Sequence, residues 1–254
     1  MSRYPGPTGL HFPAQIDSGT LGLFLSQAPQ PAGLQRARAV DELTPIARWM
    51  AREMLTNASS EEAQRIQRLN SYSFETCVAD TRDWPWWQQM LAGSQWQEAC
   101  LNQAISSKAA AHTAWGLLVR QDGRWDHKPI IARRFRPAVD SGEQHFHRYH
   151  GHVYFYDVWS NIHYGYVGRA CGFSEAELLD GAGLEQIASD LMRGRRPNAS
   201  QGVQGLRRFD HPEDRVSVEI GLQLWRQPPG ALDASALVSR IVARRAALGA
   251  RPYP

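Results

Sequence analysis

The segment 156–168 concentrates side chains that could carry out chemistry. It reads Tyr-Asp-Val-Trp-Ser-Asn-Ile-His-Tyr-Gly-Tyr-Val-Gly, and so holds a carboxylate, an amide, an imidazole and several phenols. His163 is the candidate general acid or base, because the pKa of a free imidazole lies nearest neutrality. Asp157 could orient that imidazole or act as a base itself, and Asn161 could position a substrate oxygen. The alternative is a packed corner whose polar groups satisfy one another, with the two glycines letting another backbone or a ligand approach closely.

Four histidines precede this segment at short spacing. They are His145, His147, His150 and His152. Imidazole pairs on one face of a strand can hold zinc or another borderline metal when a further ligand joins them. No established metal-binding motif is present, so we expect no cofactor and histidines that are exposed or hydrogen-bonded. A divalent metal at these four side chains is the weaker alternative.

Composition excludes several classes of protein. The chain has 254 residues, 43% of them hydrophobic, which is enough to fill a core and excludes a wholly disordered protein. Its net charge of +3 is too small to indicate a protein that coats a polyanion. Neither an apolar run long enough to cross a bilayer nor the pattern of a Sec signal peptide is present. The cysteines Cys77, Cys100 and Cys171 are odd in number and far apart, which predicts three reduced, mostly buried thiols.

Capping patterns predict several helix starts. They are Thr44-Pro45, the capping boxes Ser59–Glu62 and Ser174–Glu177, and Asp210 with Pro212 just inside the helix. A last helix is expected from about Asp233. An alanine-rich run predicts another helix over Glu98–Leu117. Pro129 and Pro137 argue against a helix over residues 129–140, and alternation within His150–Trp159 predicts a short strand. The fold class is therefore mainly α (α+β), a helical body with a small extended or β layer around residues 124–160.

Three regions are predicted along the chain. Residues 1–84 form an irregular and helical segment for docking or loading, or the N-terminal half of the same helical body. Residues 85–228 form the functional domain, and residues 229–254 a C-terminal helix packed on it. Four tryptophans near residue 85 are either a core or docking patch, or an aromatic platform for a sugar or a base. They are Trp84, Trp86, Trp87 and Trp96.

Several motifs in their order along the chain resemble the type 44 polymorphic toxin family of bacteria. They are Trp125-Asp126-His127-Lys128, the segment Asn161–Gly168, Gly181-Ala182-Gly183-Leu184-Glu185-Gln186, and Asp210-His211-Pro212-Glu213-Asp214 followed by Gly221. The resemblance covers about residues 85 to 226. Ser160 stands where the family often has glycine, and His127 where it has tyrosine.

This resemblance implies an antibacterial toxin. Such a protein is made in the cytoplasm and delivered into a target cell without a Sec signal peptide, with the help of a secretion apparatus or a chaperone or adaptor protein. A cognate immunity protein neutralises it. The resemblance also places Trp125 and Gln186 among the candidate substrate-binding residues.

Three hypotheses follow, with a ribonuclease-type nuclease first. In a nuclease, His163 and Asp157 transfer protons, cations such as Lys128 and Arg169 stabilise the transition state, and Asn161 and Tyr164 bind substrate.

In a hydrolase of the peptidoglycan glycan strand, two carboxylates act as the catalytic pair, with indole groups lining the cleft. The candidates are Asp126, Asp157, Asp210 and Asp214. The third hypothesis is a non-enzymatic partner-binding protein, which predicts that no single polar substitution abolishes activity.

Overall fold

The computed structural model describes residues 40–80, 82–136, 145–182, 211–228 and 230–253. All of these belong to one compact unit, Ala39–Pro254. Gln186 and Asp210, together with the lead-in up to residue 39, lie outside the described residues.

The N-terminal half is built from helices. They are α1 (Leu43–Ala58), α2 (Glu61–Ser71), α3 (Phe74–Asp80) and α4 (Trp86–Val119), which kinks at Gly93. The Asp41 carboxylate accepts the Thr44 N–H at 2.8 Å at the start of α1. Ser60, rather than the expected Ser59, caps α2, because its hydroxyl accepts the Ala63 N–H at 3.2 Å. The cap is therefore displaced by one residue, and the predicted capping box does not form because Ala63 stands three residues after Ser60.

The expectation of three free thiols was wrong. Cys77 of α3 and Cys100 of α4 form a disulfide, and Cys171 is the buried free cysteine. Spacing in the sequence could not reveal this pair, because it depends on α3 folding back along α4 until the two Cα atoms lie 5.5 Å apart.

The rest of the described chain alternates short helices with a small sheet. Its elements are α5 (Lys128–Arg134), β1 (Phe146–Tyr149), β2 (His152–Phe155), α6 (Asp157–Ala170), α7 (described over residues 175–182), α8 (Pro212–Trp225), α9 (Ala234–Ala243) and β3 (Arg251–Pro252). Helix α5 corrects the expectation that residues 129–140 contain no helix. Pro129 lies in the first turn of α5, where a backbone N–H has no intrahelical partner to lose.

The three strands form one antiparallel sheet in the order β1-β2-β3. Phe146 pairs with Phe155 between β1 and β2, and Val153 pairs with Arg251 between β2 and β3. The mainly helical fold with a small β layer is confirmed. The sheet is narrower than the expected region 124–160, and its third strand comes from the C-terminal end of the chain.

Two of the predicted helix starts are confirmed by their hydrogen bonds. The Ser174 N–H donates to Glu177 Oε2 at 2.8 Å, and the Glu177 N–H donates to Ser174 Oγ at 3.2 Å, which is a complete capping box at the start of α7. Asp233 caps α9 by accepting the Ala236 N–H at 2.8 Å.

Helices α6 and α8 cross at two glycines. A Cβ atom at Gly221 of α8 would overlap the Ile162 carbonyl oxygen of α6 and lie 3.1 Å from Gly165 Cα. A Cβ atom at Gly165 would overlap the Val218 carbonyl oxygen. Glycine at both positions therefore lets the two backbones touch, which fixes the N-terminal turns of α6 and α8 beside each other.

Candidate functional site

A cavity of about 770 Å³ lies where the N-terminal turns of α6 and α8 meet the loop before α5 and one side of the sheet. Many of its lining residues carry polar or charged groups. These include Asp122, Asp126, Lys128, Tyr156, Asp157, Asn161, Tyr164, His211, Glu213, Asp214 and Arg251. The structure thus brings residues of the Trp125–Lys128 motif and of the segment 156–168 to one shared space.

Helix α6 contributes a polar stripe to this cavity. Asp157, Asn161 and Tyr164 follow each other at intervals of four and three residues, so they lie on one face of the helix. The same helix buries Ile162, His163 and most of the following residues in the core. One half of the segment therefore faces the cavity, and the other half holds the helix in place.

Asp157 forms an ion pair whose geometry is set by the loop before α5. The Lys128 Nζ atom lies 2.8 Å from Asp157 Oδ1, and the Asp157 side chain is mostly buried. The two carboxylate oxygens of Asp126 accept the backbone N–H groups of Asp122, at 3.0 Å, and of Lys128, at 3.1 Å. Asp126 thereby closes the turn and fixes the backbone of Lys128, so its position suits a role in orienting the ion pair.

Asn161 connects α6 to α8 inside the cavity. Its Nδ2 atom donates to Asp214 Oδ1 at 2.8 Å. Asp214 and Glu213 lie in the first turn of α8, where the helix dipole stabilises negative charge. The amide therefore holds one carboxylate at a fixed position next to the turn that carries Asp157.

Two phenols complete the polar wall. Burial raises the pKa of Tyr156, and the neighbouring Asp157 carboxylate raises that pKa further. Tyr156 therefore stays protonated through neutral pH and can donate a hydrogen bond into the cavity. The Tyr164 hydroxyl donates to the Leu178 carbonyl at 3.2 Å, which anchors its ring against Trp115.

The sheet supplies an aromatic side of the cavity. The rings of Phe146 and Phe155 lie 5.2 Å apart, and the Arg251 guanidinium lies 4.2 Å from the centre of the Phe146 ring. Sequence reasoning did not find Arg251, because no motif marks this C-terminal strand. Glu213 was also left out of the candidate site residues, because it was assigned to the first turn of the predicted helix.

His163 lies in the core, outside this cavity. Its side chain is 1% exposed, and its Nε2 atom accepts a hydrogen bond from Asn57 Nδ2 at 2.9 Å. Burial lowers the pKa of His163 well below its ordinary value, and the His127 ring, 4.2 Å away, lowers it further. A neutral imidazole without access to the cavity is poorly suited to the role of general acid or base that the sequence suggested.

Two other predicted site residues also point away from the cavity. Trp125 is 3% exposed and packs edge-on against Trp115. The Arg169 guanidinium donates to the Phe173 carbonyl at the end of α6. Both side chains stabilise the helical body in this structure, because their contacts are with core rings and a backbone carbonyl.

The clustered histidines have different surroundings. His147 is buried, donates from Nε2 to the Phe135 carbonyl at 2.7 Å, and has its pKa lowered by that burial. His145 stacks on Tyr156 at 4.7 Å, and His152 Nδ1 lies 3.3 Å from the His150 carbonyl oxygen. Across the described ranges, no group of three or more His, Cys, Asp or Glu side chains is arranged to hold a metal ion. Metal binding at these histidines stays a prediction.

The tryptophans around residue 85 lie on the surface at the start of α4. Trp84, Trp86 and Trp87 are exposed, Trp86 by 74%. None of the described lining residues of the cavity is a tryptophan. The indole-lined cleft expected for a glycan hydrolase is therefore replaced by the phenylalanine wall of the sheet.

Comparison with known families places this site in context. Residues 114–227 match the family model described as bacterial toxin 44. The chain therefore contains a segment that is similar to bacterial toxin 44. Neither the curated proteins nor the solved structures include a match to the chain. The resemblance seen in the sequence is thus confirmed, and it agrees with secretion and delivery of this toxin into target cells.

The matched segment contains most of the cavity of this toxin. The described lining residues outside it are Leu248, Gly249 and Arg251, which come from the C-terminal end. Within the described part of the chain, no helix is both long enough and apolar enough to cross a membrane.

Proposed function

We propose that this toxin hydrolyses the glycan strand of peptidoglycan and that the acidic cavity is its active site. The observation that carries the proposal is the charge of the cavity. Its described lining residues include five carboxylates and only two permanently charged cations, Lys128 and Arg251. A nucleic acid brings a row of phosphates that such a surface repels, whereas a glycan backbone is uncharged. The cavity therefore favours the glycan hydrolase over the nuclease that the sequence placed first.

Asp157 and Asp214 form the proposed catalytic pair. Asp157 and Asn161 are one helical turn apart, about 6 Å between Cβ atoms, and Asn161 donates to Asp214. The two carboxylates therefore lie on either side of one amide, and glycosidases use a pair of carboxylates about 5–10 Å apart. Asp157, paired with Lys128, suits the charged role of nucleophile or base. Asn161 and Tyr156 would hold substrate hydroxyl groups between them.

The disulfide supports an extracytoplasmic target. Disulfides persist in oxidising compartments such as the bacterial periplasm and are rare in the cytosol. Cys77–Cys100 would therefore be stable where peptidoglycan lies. RNA, by contrast, would be met in a reducing compartment.

A nuclease is the second candidate, and one observation favours it. The exposed imidazole of His211 lines the cavity together with the cations Lys128 and Arg251. These three groups could supply proton transfer and charge stabilisation for cleavage of a phosphodiester. In this version His211 takes the part that the sequence hypothesis gave to the buried His163.

The toxin family also implies partners. The similarity to the toxin family supports a cognate immunity protein as a partner most directly. We further propose delivery by a secretion apparatus with a chaperone or adaptor protein, after synthesis in the cytoplasm of the producing cell.

Two substrates tested side by side decide between these functions. Purified full-length protein is incubated with purified peptidoglycan sacculi and, separately, with total bacterial RNA. We expect new reducing ends from the sacculi and intact RNA. Fragmented RNA without new reducing ends would overturn the glycan hydrolase in favour of the nuclease. Inactivity on both substrates would favour the non-enzymatic partner-binding protein.

A further inference from the structure

The hairpin of β1 and β2 presents a pair of phenylalanines to the cavity. Phe146 and Phe155 are cross-strand partners, so their side chains lie on the same face of the sheet. Tyr154 points to the other face, where it is 3% exposed and packs into the core. Phe155 is 39% exposed and lines the cavity. The outward face of this hairpin therefore adds an aromatic surface to the carboxylates of the cavity.

Neighbouring rings hold Phe155 in a fixed position. Its centroid lies 5.2 Å from the Phe146 centroid and 5.0 Å from the Tyr156 centroid, with Tyr156 edge-on at 86°. Tyr156 in turn stacks on His145 at 4.7 Å. The Arg251 guanidinium already lies over the Phe146 ring, 4.2 Å from its centre, and Phe155 is the more exposed ring of the pair. A ring that is held in place in this way binds a ligand at a small cost in conformational entropy.

The exposed ring adjoins a proposed catalytic carboxylate. Phe155 lies two residues before Asp157 in the sequence, so their Cα atoms are at most about 7 Å apart. Both residues line the cavity. A ligand held against Phe155 is therefore next to the carboxylate that pairs with Lys128.

The charge of the cavity indicates which flat ligand suits this ring. A sugar ring has an apolar face of C–H groups that can cover an aromatic ring, and hydroxyl groups at its rim. This contact needs no charge, so the five carboxylates among the described lining residues do not oppose it. A nucleobase can also stack on phenylalanine, but its strand brings phosphates that those carboxylates repel.

We propose that one sugar of the glycan strand stacks on Phe155, next to the bond that is cleaved. Phe155 is then a substrate-binding residue supplied by the sheet, and it contributes to the affinity for the strand rather than to the rate of the cleavage step. This inference rests on the proposed function, and it adds that the strand crosses the outward face of the hairpin of β1 and β2.

Kinetics on soluble glycan strands, released from peptidoglycan by an amidase, test the inference because kcat and KM are measured separately. In full-length Phe155→Ala we expect KM to rise about tenfold while kcat stays within about twofold of wild type, which is the pattern of a contact made equally in the ground state and the transition state. Phe155→Leu keeps an apolar side chain against Phe146 but lacks a flat face, so it should show a similar rise in KM. Phe155→Trp should keep a KM near that of wild type.

Trp86→Ala is the matched control for removal of an exposed aromatic ring. Trp86 is 74% exposed at the start of α4 and is not among the described lining residues of the cavity, so its loss should leave KM unchanged. A raised KM in Trp86→Ala but not in Phe155→Ala would assign the sugar contact to the exposed tryptophans and overturn the inference.

The variants of Phe155 separate this inference from the proposed function. An unchanged KM in Phe155→Ala, or a loss confined to kcat, would overturn the inference and leave the glycan hydrolase intact. A wild-type KM in Phe155→Leu would show that apolar bulk is enough and would also overturn it. Wild-type protein that cleaves RNA and not glycan would overturn both. If Phe155→Ala does not fold, Phe155→Leu and Phe155→Trp decide in the same assay.

Discussion

Replacing Gly221 by alanine should both destabilise the protein and disrupt the cavity. The added Cβ atom would overlap the Ile162 carbonyl oxygen and lie 2.8 Å from the Tyr166 backbone nitrogen. These obstacles are backbone atoms of α6, which cannot rotate away as the end of a side chain can. Helix α8 must therefore move by roughly 1 Å to restore normal contact distances.

The expected size of the effect follows from two opposing terms. Alanine gains about 1 kcal/mol of helix propensity over glycine, whereas overpacking a tight interface costs typically 1–3 kcal/mol and occasionally more. Since the obstacle is rigid backbone, we expect the upper part of that range and therefore a net loss of about 1–2 kcal/mol in the free energy of unfolding. The same shift separates Asn161 from Asp214, now joined at 2.8 Å. A displacement of about 1 Å at a catalytic group can reduce activity about a hundredfold.

Gly116→Ala is the matched control. Gly116 lies in α4, and a Cβ atom there would meet nothing within 4 Å. The same substitution should therefore stabilise the protein by up to about 1 kcal/mol and leave activity unchanged. Urea denaturation and the release of reducing ends from sacculi, both on purified variants, measure the two effects. Equal stability changes in the two variants, or full activity in Gly221→Ala, would refute the close-packing argument.

Three further effects concern stability and are measured by urea denaturation. Burial lowers the pKa of His163 and His127 below their unfolded values, so the unfolded chain binds more protons once the pH falls below about 6.5. The free energy of unfolding should therefore fall as the pH is lowered from 7.5 to 5.5, by on the order of 1 kcal/mol from His163, and a constant midpoint would contradict this. Glu177→Gln keeps the capping box but loses the ion pair with Lys108 at 2.5 Å, which should cost at most about 1 kcal/mol. A larger loss would mean that the pair contributes more than a partly exposed contact should. Cys77→Ser removes a disulfide between cysteines 23 residues apart in sequence, which should lower the free energy of unfolding by about 3 kcal/mol. An unchanged midpoint would show that the disulfide does not stabilise the protein.

The sequence predicted the elements whose signals are local. The capping box Ser174–Glu177 depends on residues within one turn, and it forms as expected. The last helix begins next to Asp233, where the sequence placed its start. The sequence could not decide in the same way whether segment 156–168 forms a helix or a packed corner. Segment 156–168 mixes apolar, polar and glycine residues because one side of α6 packs on another backbone and the other faces a cavity.

The candidate site was predicted in part, and the residues that were missed depend on long-range contacts. Asp157, Asn161 and Asp214, which were candidates from the sequence, line one cavity. His163 was selected for its chemical type, but its position on α6 decides that it is buried. Arg251 could not be found because it enters the cavity only through pairing of β3 with β2.

The most direct test is the rate at which purified Asp157→Asn releases reducing ends from peptidoglycan sacculi. Asp157 faces the cavity and pairs with Lys128, whereas Asp80 is exposed at the end of α3 and serves as the control in Asp80→Asn. We expect wild type and Asp80→Asn to be equally active, and Asp157→Asn to lose at least about a hundredfold in rate while its melting temperature falls by no more than a few degrees, as the loss of one ion pair allows. A folded Asp157→Asn variant that cleaves sacculi within about twofold of the wild-type rate would contradict the assignment of the cavity as the active site.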